Sequence, residues 1–160
     1  MTALADDRQT PAQEVELKGY LVAASTTIYK GGMVAVNDAG HLVMASDAAN
    51  LRVVGVADER VDNSAGSAGD KKCRVRSGRA FDFNATAITQ AMVGDLMFVV
   101  DDNTFDDAAG TNGVPCGRLL EYISATRGII YIPVGGLRKA GIAAAAYDAT
   151  EAAMVNDLLN

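Results

Sequence analysis

From Val15 to about Val134 the chain is written as short apolar runs, each closed by Gly, Asn, Asp or Ser. Nothing constrains the fold more. Runs this short cannot build an apolar helical stripe, but they suit strands joined by tight turns. The stretch "YKGGMVAVNDAGHLV" (29–43) reads as one hairpin: two glycines, an apolar run, a turn over Asn37-Asp38-Ala39-Gly40, and a return. Strands are expected at Val15–Ala23, Thr27–Tyr29, Met33–Val36, His41–Met44, Leu51–Ala57, Cys73–Arg76, Ala80–Phe83, Leu96–Val100, Arg118–Ile123 and Ile129–Pro133. "NSAGSAGD" (63–70) and "DDAAGTNGVP" (106–115) read as polar loops. Strands at this spacing, without long helical periods between them, predict an all-β, compact antiparallel barrel or sandwich.

The ends differ. Residues 1–14 are polar, contain Pro11 and read as an extended N-terminal arm. Residues 15–136 form the β-domain, and 137–160 are Ala-rich and read as a short helical tail. Asp148 with Glu151 resembles a capping box there, ahead of Met154, Val155 and Leu158. A helix of about 11 residues is marginal alone and needs a surface to dock on.

The β-domain echoes itself. Placing Gly32 on Gly94, an offset of 62, also places Gly55 on Gly117, Gly66 on Gly128 and Glu59 on Glu121. Three coincident glycines among 16 can arise by chance. The matching order of strand, turn, strand and loop favours an internal repeat, with glycines at equivalent turns or bulges.

The chain has 160 residues, 49% hydrophobic and 21% charged, enough to bury a core. A net charge of −6 argues against nucleic acid and against an anionic membrane surface as partners. No apolar run is long enough to span a membrane, and the N-terminus lacks the pattern of a secretory signal. Cys73 and Cys116 read as buried thiols of a protein made in a reducing cytoplasm.

Chemical motifs fail one by one. Asp101, Asp102, Asp106 and Asp107 are the weak candidates for a metal site. Counting from Asp101 puts Phe105 at position five and Asp106 at position six of a calcium loop, where an oxygen ligand and glycine belong. Counting from Asp102 puts Asp107 at position six. A soluble calcium- or ligand-binding β-module stays open as an alternative. "GSAGDKKC" places Asp70 where a phosphate cradle needs its lysine, so phosphate binding is rejected. The single histidine, His41, follows a tight turn, and there is no GxSxG elbow for a hydrolase. One His and two distant Cys do not make a zinc site. No catalytic residue and no cofactor are implied.

The partner-binding candidates are Val15, Leu17, Leu21, Lys72, Arg74 and Arg76. Alternation in "DKKCRVRSGR" puts Lys72, Arg74 and Arg76 on one strand face and Cys73 and Val75 on the other. With Lys71 and Arg79, five of the 14 Lys/Arg fall within nine positions. This is either an edge strand charged against aberrant pairing or a docking face for an acidic partner. Val15, Leu17 and Leu21 alternate toward one side, as a strand added to a partner's sheet would.

Together, "YKGGMVAVND" (29–38), "VVGVADERVDNSAG" (53–66), "VRSGRAFDF" (75–83), "VGDLMFVVDDNTF" (93–105) and "GRLLEY" (117–122) resemble the head decoration, or capsid cement, proteins of tailed bacteriophages. The resemblance spans roughly residues 15–135 and excludes the tail and the acidic loop. It implies a small β-rich, non-enzymatic protein on the outer surface of the assembled capsid. It implies the major capsid protein as partner, self-association as a homotrimer first and a homodimer second, and stabilisation of the shell against internal DNA pressure. Another virion structural protein, of the tail or fibre base, is the nearest alternative.

Overall fold

The computed structural model describes residues 16–137. The expected arm with Val15 and the expected helical tail lie outside these residues. Within them the chain is all strand and turn, apart from one 3-10 turn at Gln90–Met92. The strands are β1 (Leu17–Leu21), β2 (Thr26–Ile28), β3 (Met33–Val36), β4 (Leu42–Met44), β5 (Arg52–Ala57), β6 (Val61–Asn63), β7 (Lys72–Arg76), β8 (Arg79–Thr86), β9 (Leu96–Asp101), β10 (Thr104–Asp106), β11 (Pro115–Ser124) and β12 (Arg127–Ile132).

They form a five-stranded sheet ordered β1-β7-β5-β3-β4, a closed barrel ordered β10-β8-β12-β11-β9, and a small β2-β6 ribbon. Replacing β1, β7, β5, β3 and β4 by β8, β12, β11, β9 and β10 turns the sheet's order into the barrel's. The registers agree as well. Met33 faces Val56 as Leu96 faces Arg118, and Val34 faces Gly55 as Met97 faces Gly117. Ala57 faces Val75 as Leu119 faces Ile130, and Leu17 faces Arg76 as Ala80 faces Tyr131. Each half also carries a bulge at one place, where Val54 and Cys116 are passed over in the pairing.

Gly55 and Gly117 occupy these equivalent bulges. A β-carbon on Gly55 would fall on the Arg76 carbonyl oxygen, and one on Gly117 on the Tyr131 carbonyl oxygen. At the first turn the counterpart of Gly94 is Gly31, one residue before the glycine that sequence alignment selects. The Gly31 N–H donates to the Ala57 carbonyl at 2.9 Å and the Gly94 N–H to the Leu119 carbonyl at 2.7 Å. Both glycines have positive φ, +85° and +99°. Gly66 and Gly128 are not equivalent: Gly66 lies in a loop, whereas Gly128 lies in β12.

Three expectations are corrected. The domain is not wholly antiparallel: β8 and β10 pair in parallel and close the barrel. In the first half the same closure shrinks to one parallel bridge, Val22 with Leu42, the counterparts of Ala85 and Phe105. β7 is not an edge strand, because it lies between β1 and β5. The acidic segment is not all loop, since β10 occupies Thr104–Asp106 with Phe105 fully buried.

Two apolar cores result. Val22, Ile28, Val34, Leu42, Val54, Cys73 and Val75 fill the first half. The other core joins second-half residues such as Phe83, Phe105, Leu119 and Ile130 to Met33, Ala35, Val53 and Val56 of the first. Adjacent β3 residues point to opposite faces, so β3, buried at all four positions, is covered on both. The second half covers one of them. This is why β3 reads as a continuous apolar run rather than an alternating one.

Candidate partner-binding face

The β1–β7 register brings the sequence candidates together. Leu17 lies opposite Arg76, Gly19 opposite Arg74, and Leu21 opposite Lys72. Directly opposed residues share a sheet face. Leu17 and Leu21 are 48% and 41% exposed there, while Cys73 and Val75 of β7 are buried on the other face. Apolar and cationic side chains thus sit side by side on one surface. Leu17, Leu21, Lys72, Arg74 and Arg76 all belong to it.

Much of its charge is already answered inside the chain. Arg74 Nε lies 3.3 Å from Glu59 Oε1, and the Arg74 backbone N–H donates to the same oxygen at 2.9 Å. That N–H, more than the guanidinium, holds the Glu59 carboxyl below its usual range. Arg76 Nε sits 2.9 Å from Asp58 Oδ1, a charge contact rather than an aligned hydrogen bond. Arg79 pairs with Glu16 at 2.8 Å. The Lys71 ammonium donates to the Asp62 carbonyl oxygen. Lys72 is exposed and has no ion pair among the described residues. The surface is therefore a mixed ion-pair and apolar face rather than a bare cationic one. Exposed pairs of this kind contribute about 0–1 kcal/mol each, so they remain available to exchange partners.

The two cysteines lie under or away from this face. Burial pushes the Cys73 thiol up to about 11 and the Cys116 thiol up to about 12. Neither is a nucleophile at neutral pH.

The acidic candidates serve the turns. Asp101 Oδ1 accepts from the Asn103 N–H at 2.8 Å, and Asp106 Oδ1 accepts from the Ala108 N–H at 3.3 Å. The Asp102 carbonyl accepts from the Met33 N–H at 2.7 Å, tying this hairpin to β3. Burial raises the Asp102 carboxyl, and a hydrogen bond with the Asp106 side chain raises that of Asp107. Among the described residues, no three His, Cys, Asp or Glu side chains are grouped to hold a metal ion. His41 uses its backbone N–H, which donates to Asn37 Oδ1 at 3.0 Å.

Sequence reasoning missed a second set of surface residues. Val93, Val100, Leu120 and Tyr131 of the second half are 39–51% exposed. The available signal was the doublets Val99-Val100, Leu119-Leu120 and Ile129-Ile130, since strand alternation buries only one member of each. Val99, Leu119 and Ile130 are the buried members.

No protein-family model matches the chain, and no curated protein matches it.

Proposed function

We propose that this chain is a capsid decoration protein of tailed bacteriophages. It binds the outer surface of the assembled head and stabilises contacts between major capsid protein subunits. It is made in the host cytoplasm, self-associates as a homotrimer or homodimer, and does its work without catalysis. The observation that carries this reading is the outward β1–β7 face, where Leu17 and Leu21 lie beside Lys72, Arg74 and Arg76. Such a face suits broad contact with another protein. The order of glycine-bounded strands, which resembles that of decoration proteins, supports the same reading. Its mechanism is area and multivalency: a specific interface of about 1,600 Å² suffices, and linking several raises avidity by ~10²–10⁴.

The test is co-sedimentation of the full chain with expanded phage capsids stripped of their decoration protein. Binding that raises the disruption temperature of the shell is expected, and Leu17→Asp with Leu21→Asp weakens it. Shells that neither bind the chain nor gain stability from it would sink the proposal.

A further inference from the structure

The two like halves act as each other's control, and one surface differs sharply between them. In the first half, Met33, Ala35 and Val56 face the second half and are buried. Beside them, Asp58 pairs with Arg74 and Arg76 in a solvated ion-pair cluster. The matched pairings place Leu96, Phe98 and Arg118 where Met33, Ala35 and Val56 stand. They likewise place Ile129 and Tyr131 where Arg74 and Arg76 stand. Leu120 follows Leu119 as Asp58 follows Ala57.

Nothing in the described residues covers this second surface. Leu96, Phe98 and Ile129 are partly exposed, Leu120 is 51% exposed and Tyr131 39%. Leu96, Arg118 and Tyr131 form one row across β9, β11 and β12, so the surface is continuous. An ion-pair cluster suited to water in one half has become leucine, isoleucine and tyrosine in the other. Contiguous apolar surface costs solubility unless it is covered.

We infer that the outer face of β9, β11 and β12 is the surface by which a second copy of this chain docks. The occupant follows from the first half. There, the part of the matching face built from Met33, Ala35 and Val56 is covered by a β-module of the same kind, namely the second half of the same chain. Each copy leaves one such face uncovered, and another copy supplies the module that covers it. Repeated head to tail with rotation, this contact closes a ring such as a trimer. The inference gives a surface to the self-association in the proposed function, and rests on that reading for the expectation that copies assemble.

The test exploits the internal control. The triple variant Leu120→Asp, Ile129→Arg, Tyr131→Arg installs the polar trio that the first half carries at the matching positions. Analytical ultracentrifugation of the full chain at micromolar concentration should show an oligomer. The triple variant, with unchanged circular dichroism, should associate at least about tenfold more weakly, as expected of central aromatic and apolar contacts. Leu120→Ser alone reads the same surface if the triple variant does not fold. A monomeric wild type, or variants that associate as the wild type does, would overturn the inference. A monomeric wild type whose variants lose only capsid binding would assign the face to the shell instead, overturning the second-copy docking and the self-association while leaving the capsid-binding part of the proposed function standing.

Discussion

At the scale of single residues, Gly55 and Gly117 are the positions where the two halves are most alike. Each passes so close to a neighbouring strand that a methyl group would meet a carbonyl oxygen. Gly55→Ala and Gly117→Ala should therefore each cost about 1–3 kcal/mol, the usual range for overpacking a fixed site. Gly94→Ala, with open space around it but φ at +99°, should cost less and through backbone strain alone. Urea denaturation of the three variants checks the ranking. The sequence alignment was right at Gly55 and one residue out at Gly32. Glycine identity does not disclose conformation: Gly31 has the positive φ, while a β-carbon on Gly32 would meet the movable end of the Met44 side chain. Asp62 supplies a pH-dependent prediction. Its carboxyl accepts from Ser64 and from the Thr27 hydroxyl, and is held down to about 2 from 3.8, chiefly by the Ser64 contact. The unfolded chain then binds more protons between these values, so this contribution is full above pH 4 and is lost as pH falls toward 2. Asp62→Asn should flatten that part of the stability–pH curve, as measured by thermal melts from pH 2 to 5.

At the scale of elements, the longer apolar runs were legible and the short polar strands were not. Met33–Val36 is found where expected, because four buried residues in a row admit little else. β6 and β10 were hidden, since each buries a single residue, Asn63 or Phe105, between polar neighbours. Asn63 is buried because its Nδ2 donates to the Ala23 and Ser67 carbonyls, both at 2.9 Å, pinning the 64–70 loop. No hydrophobicity pattern reveals such a residue. The 107–114 loop is held in a related way. Asp47 Oδ1 accepts from the Asn112 N–H at 3.0 Å, and Asn112 Nδ2 donates to the Asp47 carbonyl at 2.6 Å. Asp47→Ala should speed amide exchange across 108–113 while costing about 0.5–1.5 kcal/mol globally. Exchange unchanged in that loop would show that the latch is unimportant. The partner-binding face was only partly legible. Alternation aligned Lys72, Arg74 and Arg76, but the neutralisation of Arg74 and Arg76 by Asp58 and Glu59 comes from a turn earlier in the sequence.

At the scale of the molecule, the two halves share a core and cannot be independent. Met33, Ala35, Val53 and Val56 belong to the same cluster as Phe105 and Leu119. Exposing the first half alone would uncover those side chains, of which Met33, Val53 and Val56 are each worth about 1.5–3 kcal/mol when fully buried. Calorimetry should therefore record one unfolding transition, with equal calorimetric and van't Hoff enthalpies. Two resolved transitions would show that the halves fold separately. Val53→Ala should lower that single transition temperature rather than split it.

The passage from β7 to β8 is only Ser77 and Gly78. Both are tied in: the Ser77 N–H donates to the Glu16 carbonyl at 2.9 Å and the Gly78 N–H to the Ile132 carbonyl at 2.8 Å. The junction is thus bolted at both residues, to Glu16 just before β1 and to Ile132 at the end of β12. A load applied to one half reaches the other without slack, and the pair resists shear as one stiff block.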